Sequence, residues 1–238
     1  MADCPLGRCD GSGFIYDEAA RTAKPCGCRP QRIARKKAAA VAGRIPKRFR
    51  DVSFDRQPVI SMPAHAVKAV KTYCDKIDER LAEGRGMYMR GDVGTGKTTL
   101  AMLIAKTAMT SGHTVAIYSL PRLLGMLRDT YGDNSAYSLN ELLDRLSAVD
   151  LLQIDDVGAE QTSAWVLEQL YTIVNTRYED RRAITFTTNL EDEALRDQIG
   201  PRTVSRLQEM CEEVPLYGSD QRPDAGLISY PKPYGAAA

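Results

Sequence analysis

The run Gly91-Asp92-Val93-Gly94-Thr95-Gly96-Lys97-Thr98-Thr99 has residue types and spacing suited to triphosphate chemistry. Glycines let a backbone turn tightly enough for successive N–H groups to converge on a phosphate. A lysine in the last turn reaches the β- and γ-phosphates, and the hydroxyl after it ligates Mg²⁺. Here those groups are Gly91, Gly94 and Gly96, then Lys97, then Thr98. A short apolar stretch, Met87-Tyr88-Met89, precedes the loop, and a segment of helical period from Thr99 follows it. Strand, loop and helix together are the context a phosphate loop requires, and the helix N-terminus adds partial positive charge. A glycine-rich turn without a ligand needs no such flanks.

Three further sets of residues extend the chemistry. Leu151-Leu152-Gln153-Ile154 is an apolar strand ending in Asp155 and Asp156. An acid at such a strand tip holds Mg²⁺ through its water shell. Asp155 takes that role, and Asp156 would orient or deprotonate the attacking water, a position where many ATPases carry Glu. Ala183-Ile184-Thr185-Phe186-Thr187 is the next strand, and Asn189 just past it suits a sensor bridging γ-phosphate and water. The plainer alternative is an Asn turn residue after a strand. Arg202 and Arg206 share one helix face, four residues apart. Either could stabilise transition-state charge in a neighbouring subunit's site, or both could be solvated.

Cysteine supplies a second kind of chemistry. Four of the six cysteines, Cys4, Cys9, Cys26 and Cys28, fall before residue 30. Four thiolates give a tetrahedral Zn²⁺ site. The Cys4-x4-Cys9 spacing is ordinary and the Cys26-x-Cys28 spacing is tight, so unligated thiols remain the alternative. Asp10-Gly11-Ser12-Gly13 reads as a turn and Phe14-Ile15-Tyr16 as a short strand. A segment this small cannot bury a core and needs a staple. Cys74 and Cys211 read as buried thiols.

These groups must be positioned by alternating strands and helices, which imply a parallel α/β sheet. The pattern predicts one helix over 63–81, a strand over 114–118 and a helix over 120–131. A helix over 138–146 follows, entered by a Ser138-x-x-Glu141 capping box. A helix over 163–177 and short helices near 191–198 and 201–210 come later. Residues 212–217 read as an edge strand because Pro215 cannot donate to a ladder. Between Arg29 and Arg50 the chain is basic without an acidic residue, with alanines favouring helix until Ile45-Pro46 breaks it. Net charge over the 238 residues is only +1, so any basic surface is local. No apolar run reaches the ~18 residues of a membrane span, and Met1-Ala2-Asp3 lacks signal-peptide layout. A cytoplasmic protein is expected.

The order P-loop, Asp155-Asp156, Thr187-Thr188-Asn189, Ser205-Arg206-Leu207 resembles AAA+ ATPases, and among them the DnaC/DnaI-type replicative helicase loaders. The stretches 147–160, 184–190, 202–207 and 218–222 carry the likeness. The resemblance implies a three-layer P-loop core over 61–222, a linker at 46–60 passing near the adenine, and a flexible tail at 223–238. It implies no helical lid domain, and a zinc-binding module with a basic helix over 1–45 that grips a DnaB-type hexameric helicase. It also implies Arg206, with Arg202 second, as an arginine finger acting in trans through self-association. Arg222 becomes a sensor arginine at the nucleotide. The helices between Leu120 and Leu146 resemble an element associated with single-stranded DNA, with Arg122, Arg128 and Tyr131 as candidate contacts. The expected cofactors are ATP, Mg²⁺ and Zn²⁺, and the expected activity is slow ATP hydrolysis, stimulated by DNA or a partner. Two alternatives stand beside it: an IstB-type transposition helper on duplex DNA, and a non-hydrolysing, ATP-switched adaptor.

Overall fold

The computed structural model describes residues 4, 6–18, 21–30, 32–33, 43–132, 137–158, 163–218 and 220. Most of the basic helix expected before Ile45-Pro46, the tail and Arg222 lie outside them. Five strands form one parallel sheet: β3 (Gly86–Gly91), β4 (Val115–Ser119), β5 (Leu151–Val157), β6 (Ala183–Thr188) and β7 (Cys211–Leu216). Their spatial order is β4-β5-β6-β3-β7. The P-loop strand is therefore flanked on both sides, and β7 is the edge that Pro215 requires.

Alternation along the strands gives the sheet two apolar faces. Met87, Met89, Ile117, Leu151 and Val214 pack under α1 (Ala64–Asp75), α2 (Ile77–Ala82) and α3 (Lys97–Thr110). Tyr88, Tyr118, Leu152, Ile154 and Phe186 pack on the other side. That face is covered by α4 (Leu120–Asp129), α5 (Leu139–Ala148), α6 (Ala164–Glu179), α7 (Asp192–Ile199) and α8 (Pro201–Met210). Tyr88 stacks on Phe186 with centroids 4.3 Å apart and planes 8° from parallel. Helix on sheet on helix is the three-layer arrangement expected of the core.

Arg177 is fully buried and closes the far end of the sheet. Its guanidinium donates to the carbonyls of Leu146, Val149, Asp150 and Ala183 at 2.6–3.3 Å. One side chain thus joins the end of α5, the start of β5 and the start of β6. Burial pulls its pKa down to about 9, because the charge is taken out of water with only carbonyl dipoles to receive it.

Two local readings change. The helix expected over 63–81 is two helices, broken at Lys76 (φ −116°, ψ 28°). Asp78 and Glu79 sit in the first turn of α2, where carboxylates favour a new N-terminus. The break leaves Val70, Ile77 and Leu81 all buried, so periodicity carried no sign of it. Near the N-terminus, β1 (Phe14–Asp17) has an antiparallel partner, β2 (Thr22–Pro25), that no alternation announced. Both strands are exposed along their whole length, so their sequence is free of a hydrophobic pattern. The capping box at α5 is present: the Ser138 hydroxyl accepts from Glu141 N–H, and the Glu141 carboxylate accepts from Ser138 N–H.

Residues 43–62 pack against the core. The Gly43 N–H donates to the Val115 carbonyl at 2.8 Å, and Val52, Val59 and Met62 are buried among the α1–α3 side chains.

Candidate nucleotide site and cysteine cluster

The P-loop joins β3 to α3 at the carboxyl end of the sheet. Gly96 caps α3 with φ +96°, a left-handed conformation that side chains resist, and the Met62 side chain packs where its Cβ would be. Arg90, the last residue but one of β3, is pinned by Glu191, Asp192 and Glu213 at 2.6–3.2 Å, which fixes where the loop starts. The Thr95 hydroxyl donates to the Asp92 carbonyl at 2.9 Å. Lys97 Nζ is held over the loop by the carbonyls of Gly91 and Asp92.

The strand tips close the other wall. Thr98 Oγ1 donates to Asp155 Oδ1 at 2.9 Å, so the two expected magnesium ligands already touch. Thr187 Oγ1 donates to the same Asp155 oxygen at 2.7 Å. Burial raises the Asp155 pKa, opposed by these two hydroxyl donors. Hard oxygen donors gathered beside a lysine and a run of backbone amides fit Mg²⁺ and a polyphosphate. Asp156 has φ +60° and an exposed side chain, and its carboxylate accepts from Asn189 Nδ2 at 3.4 Å. A cleft of about 580 Å³ runs past Lys97, Thr98, Thr99, Asp155, Asp156 and Asn189, with Val93, Gly94 and Gly96 in its floor. It continues to Arg48, Phe49, Pro58 and Met62 at one end.

Arg202 and Arg206 do not enter this cleft. They line a second one, about 510 Å³, with Tyr171, Pro201, Ser205 and Glu209. The Arg206 guanidinium stands 4.6 Å from the Tyr178 ring centroid and 5.8 Å from that of Tyr171, while Tyr178 OH donates to Glu209 at 2.7 Å. Of the expected DNA contacts, Arg128 lies 5.1 Å over Trp165, whose Nε1 donates to Tyr131 OH at 3.2 Å. Arg122 stands apart from that pair, 5.9 Å over Tyr118.

The four cysteine sulfurs lie within 4.8 Å of one another, with Cys4–Cys26 at 3.9 Å and Cys9–Cys28 at 3.6 Å. A tetrahedron with Zn–S bonds of about 2.3 Å has S···S edges of about 3.8 Å. The tight Cys26-x-Cys28 spacing is therefore compatible with the metal, because all four sulfurs lie close enough to share one ion. The Arg8 N–H donates to Cys4 Sγ and helps bring that thiol down to about 6. Burial and the neighbouring thiols push Cys28 up to about 12. A dication held by the four sulfurs would offset that thiolate crowding.

Sequence reasoning missed Thr187 and the tyrosines around Arg206. Thr187 had a signal, since it belongs to the Thr187-Thr188-Asn189 run at the tip of β6. Tyr171 and Tyr178 carried none, because nothing local to α6 says that α8 lies against it.

A family model described as IstB-like ATP binding protein matches residues 27–222. The replicative helicase loader DnaC of Buchnera aphidicola subsp. Schizaphis graminum is 28% identical over 142 residues, 60% of this chain and 56% of that protein. The chain thus spans little more than half the length of that relative. The solved DnaC helicase loader superposes with a TM-score of 0.63 at 22% identity, covering 72% of this chain and 99% of the other. The replication initiator DnaA bound to AMPPCP and single-stranded DNA gives 0.60 at 20% identity, covering 75% and 53%. With the parallel sheet, the P-loop between β3 and α3 and a match over most of its length, the chain has the AAA+ fold and belongs to the IstB-like ATP binding protein family.

Proposed function

We propose that this chain binds and hydrolyses ATP in a site shared between subunits and uses it to load a hexameric replicative helicase onto single-stranded DNA. One observation carries the shared site: the P-loop, Asp155 and Asn189 meet in one cleft, while Arg206 faces another. A finger that lines a cleft other than its own subunit's nucleotide cleft is available to complete a neighbour's site. The helicase and the DNA enter from the relatives named above, and the cysteine module with its basic continuation is the part assigned to grip the helicase.

In this reading the P-loop amides and Lys97 bind the triphosphate. Thr98 and Asp155 hold Mg²⁺, which supplies charge neutralisation at the phosphates when bound. Asn189 and Asp156 hold the attacking water, with the Asp156 carboxylate receiving its proton. Phe49, Arg48 and Met62 line the base end of the cleft. Arg206, released from Tyr171 and Tyr178, stabilises the transferring phosphoryl group across the interface, with Arg202 beside it. Arg222 stands as a further nucleotide contact by resemblance alone.

The test is co-purification with the cognate replicative helicase, wild type against the Cys26→Ser/Cys28→Ser variant. Wild type should capture the helicase and the variant should not; no capture by wild type sinks the loader. The family match favours one other reading, a transposition helper, which predicts filaments on duplex DNA without helicase affinity. Phosphate release with single-stranded DNA decides between hydrolysis and a non-hydrolysing adaptor. Lys97→Ala should abolish binding and turnover. Arg206→Ala should keep binding and lose turnover by roughly 10³-fold. Wild-type release no faster than Lys97→Ala favours the adaptor.

A further inference from the structure

β5 and β6 run in register from Leu151 with Ala183 to Ile154 with Phe186, and meet again at Val157 with Thr188. Between those points two residues, Asp155 and Asp156, face one, Thr187. This is a β-bulge in a parallel pair, an uncommon device that re-aims side chains. It falls on the two carboxylates of the nucleotide site. A bulge leaves ladder groups unpaired, and a non-glycine residue in the left-handed region brings its Cβ close to the following carbonyl oxygen. Asp156 is such a residue, with φ +60°.

Thr187 compensates for both. It is 1% exposed. Its hydroxyl hydrogen goes to Asp155 Oδ1 at 2.7 Å, and its oxygen accepts the Asp156 N–H at 2.9 Å. The side chain thus takes the place of the missing ladder acceptor. The neighbouring Thr188 hydroxyl locks the exit of the bulge by donating to the Val157 carbonyl at 2.6 Å. Asp155 Oδ1 is left facing Thr98, and the Asp156 carboxylate faces Asn189.

We propose that Thr187 is a positioning residue for this site: its hydroxyl holds the bulge so that Asp155 faces the Thr98 hydroxyl and Asp156 faces Asn189. The proposal rests on the ATP reading above. It assigns Thr187 no contact with nucleotide or metal.

The experiment compares Thr187→Val, which keeps the branch and loses the hydroxyl, with Thr187→Ser, which keeps the hydroxyl. A fluorescent ATP analogue is titrated with and without Mg²⁺, and kcat and KM are measured beside it. Thr187→Val should bind the analogue without Mg²⁺ as wild type does. It should need roughly tenfold more Mg²⁺ for half-saturation, as losses of residues supporting a metal ligand do. Its kcat should fall by roughly tenfold or more with KM little changed, and Thr187→Ser should restore both. Should Thr187→Val fail to fold, Thr187→Cys, with a weaker donor, carries the same readout and should fall between Thr187→Ser and the loss expected of Thr187→Val. An unchanged Mg²⁺ requirement in Val or Cys, or equal impairment in Val and Ser, overturns the proposal. Wild-type turnover no greater than that of Lys97→Ala would sink the hydrolysis reading alone, since the Mg²⁺ titration still judges Thr187.

Discussion

The cysteine module and the P-loop core are held together by different physics. In the core, both sheet faces are covered, and side chains such as Phe186, Leu152 and Met89 are almost fully out of water. Burial at about 25 cal/mol per Å² needs no ligand. In the described residues of the module, the buried side chains beyond glycine are Cys26 and Cys28, and both faces of the β1–β2 hairpin are exposed. An isolated two-stranded hairpin is marginal in water. One region carries its stability in apolar area, and the other places four sulfurs where a metal would do the same job.

The comparison breaks most easily at the metal. Chelation of the full-length protein should abolish the order of β1 and β2, read as rapid tryptic cleavage after Arg8 and Arg21, and should leave the main thermal transition in place. A protease-resistant leader after zinc removal would show that packing holds it. The next largest effect lies in the core. Phe186→Ala should cost about 3–5 kcal/mol in denaturant unfolding, because it opens a cavity and removes the stack on Tyr88. A loss below about 1 kcal/mol would mean that the core is held by something other than this packing. Arg177→Met should cost about 3 kcal/mol by stranding carbonyls at the joint of α5, β5 and β6. A gain in stability on that change would mark Arg177 as retained for something other than folding. Ser138→Ala is the smallest, about 1 kcal/mol, through loss of the α5 cap. None of the three core changes should alter zinc content; a drop would show the two regions to be coupled.

Much of the core was legible because its rules are local. The P-loop is set by glycines that alone accept its backbone angles, and the strand–helix alternation is set by hydrophobic period. Edge strand β7 followed from Pro215, and the α5 cap from Ser138 and Glu141. What escaped were features written in no local pattern. The break at Lys76 kept the helical phase on both sides. Strand β2 has no buried face and so no alternation. The four cysteines gave a chemistry but not a geometry, because spacing along the chain does not state which sulfurs come within 4 Å.

The same division runs through the nucleotide site. Sequence by itself picked out side chains that share one cleft, Lys97, Thr98, Asp155, Asp156 and Asn189, since each follows from residue type and position in its own element. Only the tertiary structure decided that Asp155 and Asp156 form a bulge against Thr187, and that Arg206 rests between tyrosines of α6, away from its own P-loop. Register and helix-on-helix placement depend on contacts between segments far apart in the chain. No spacing within one segment encodes them.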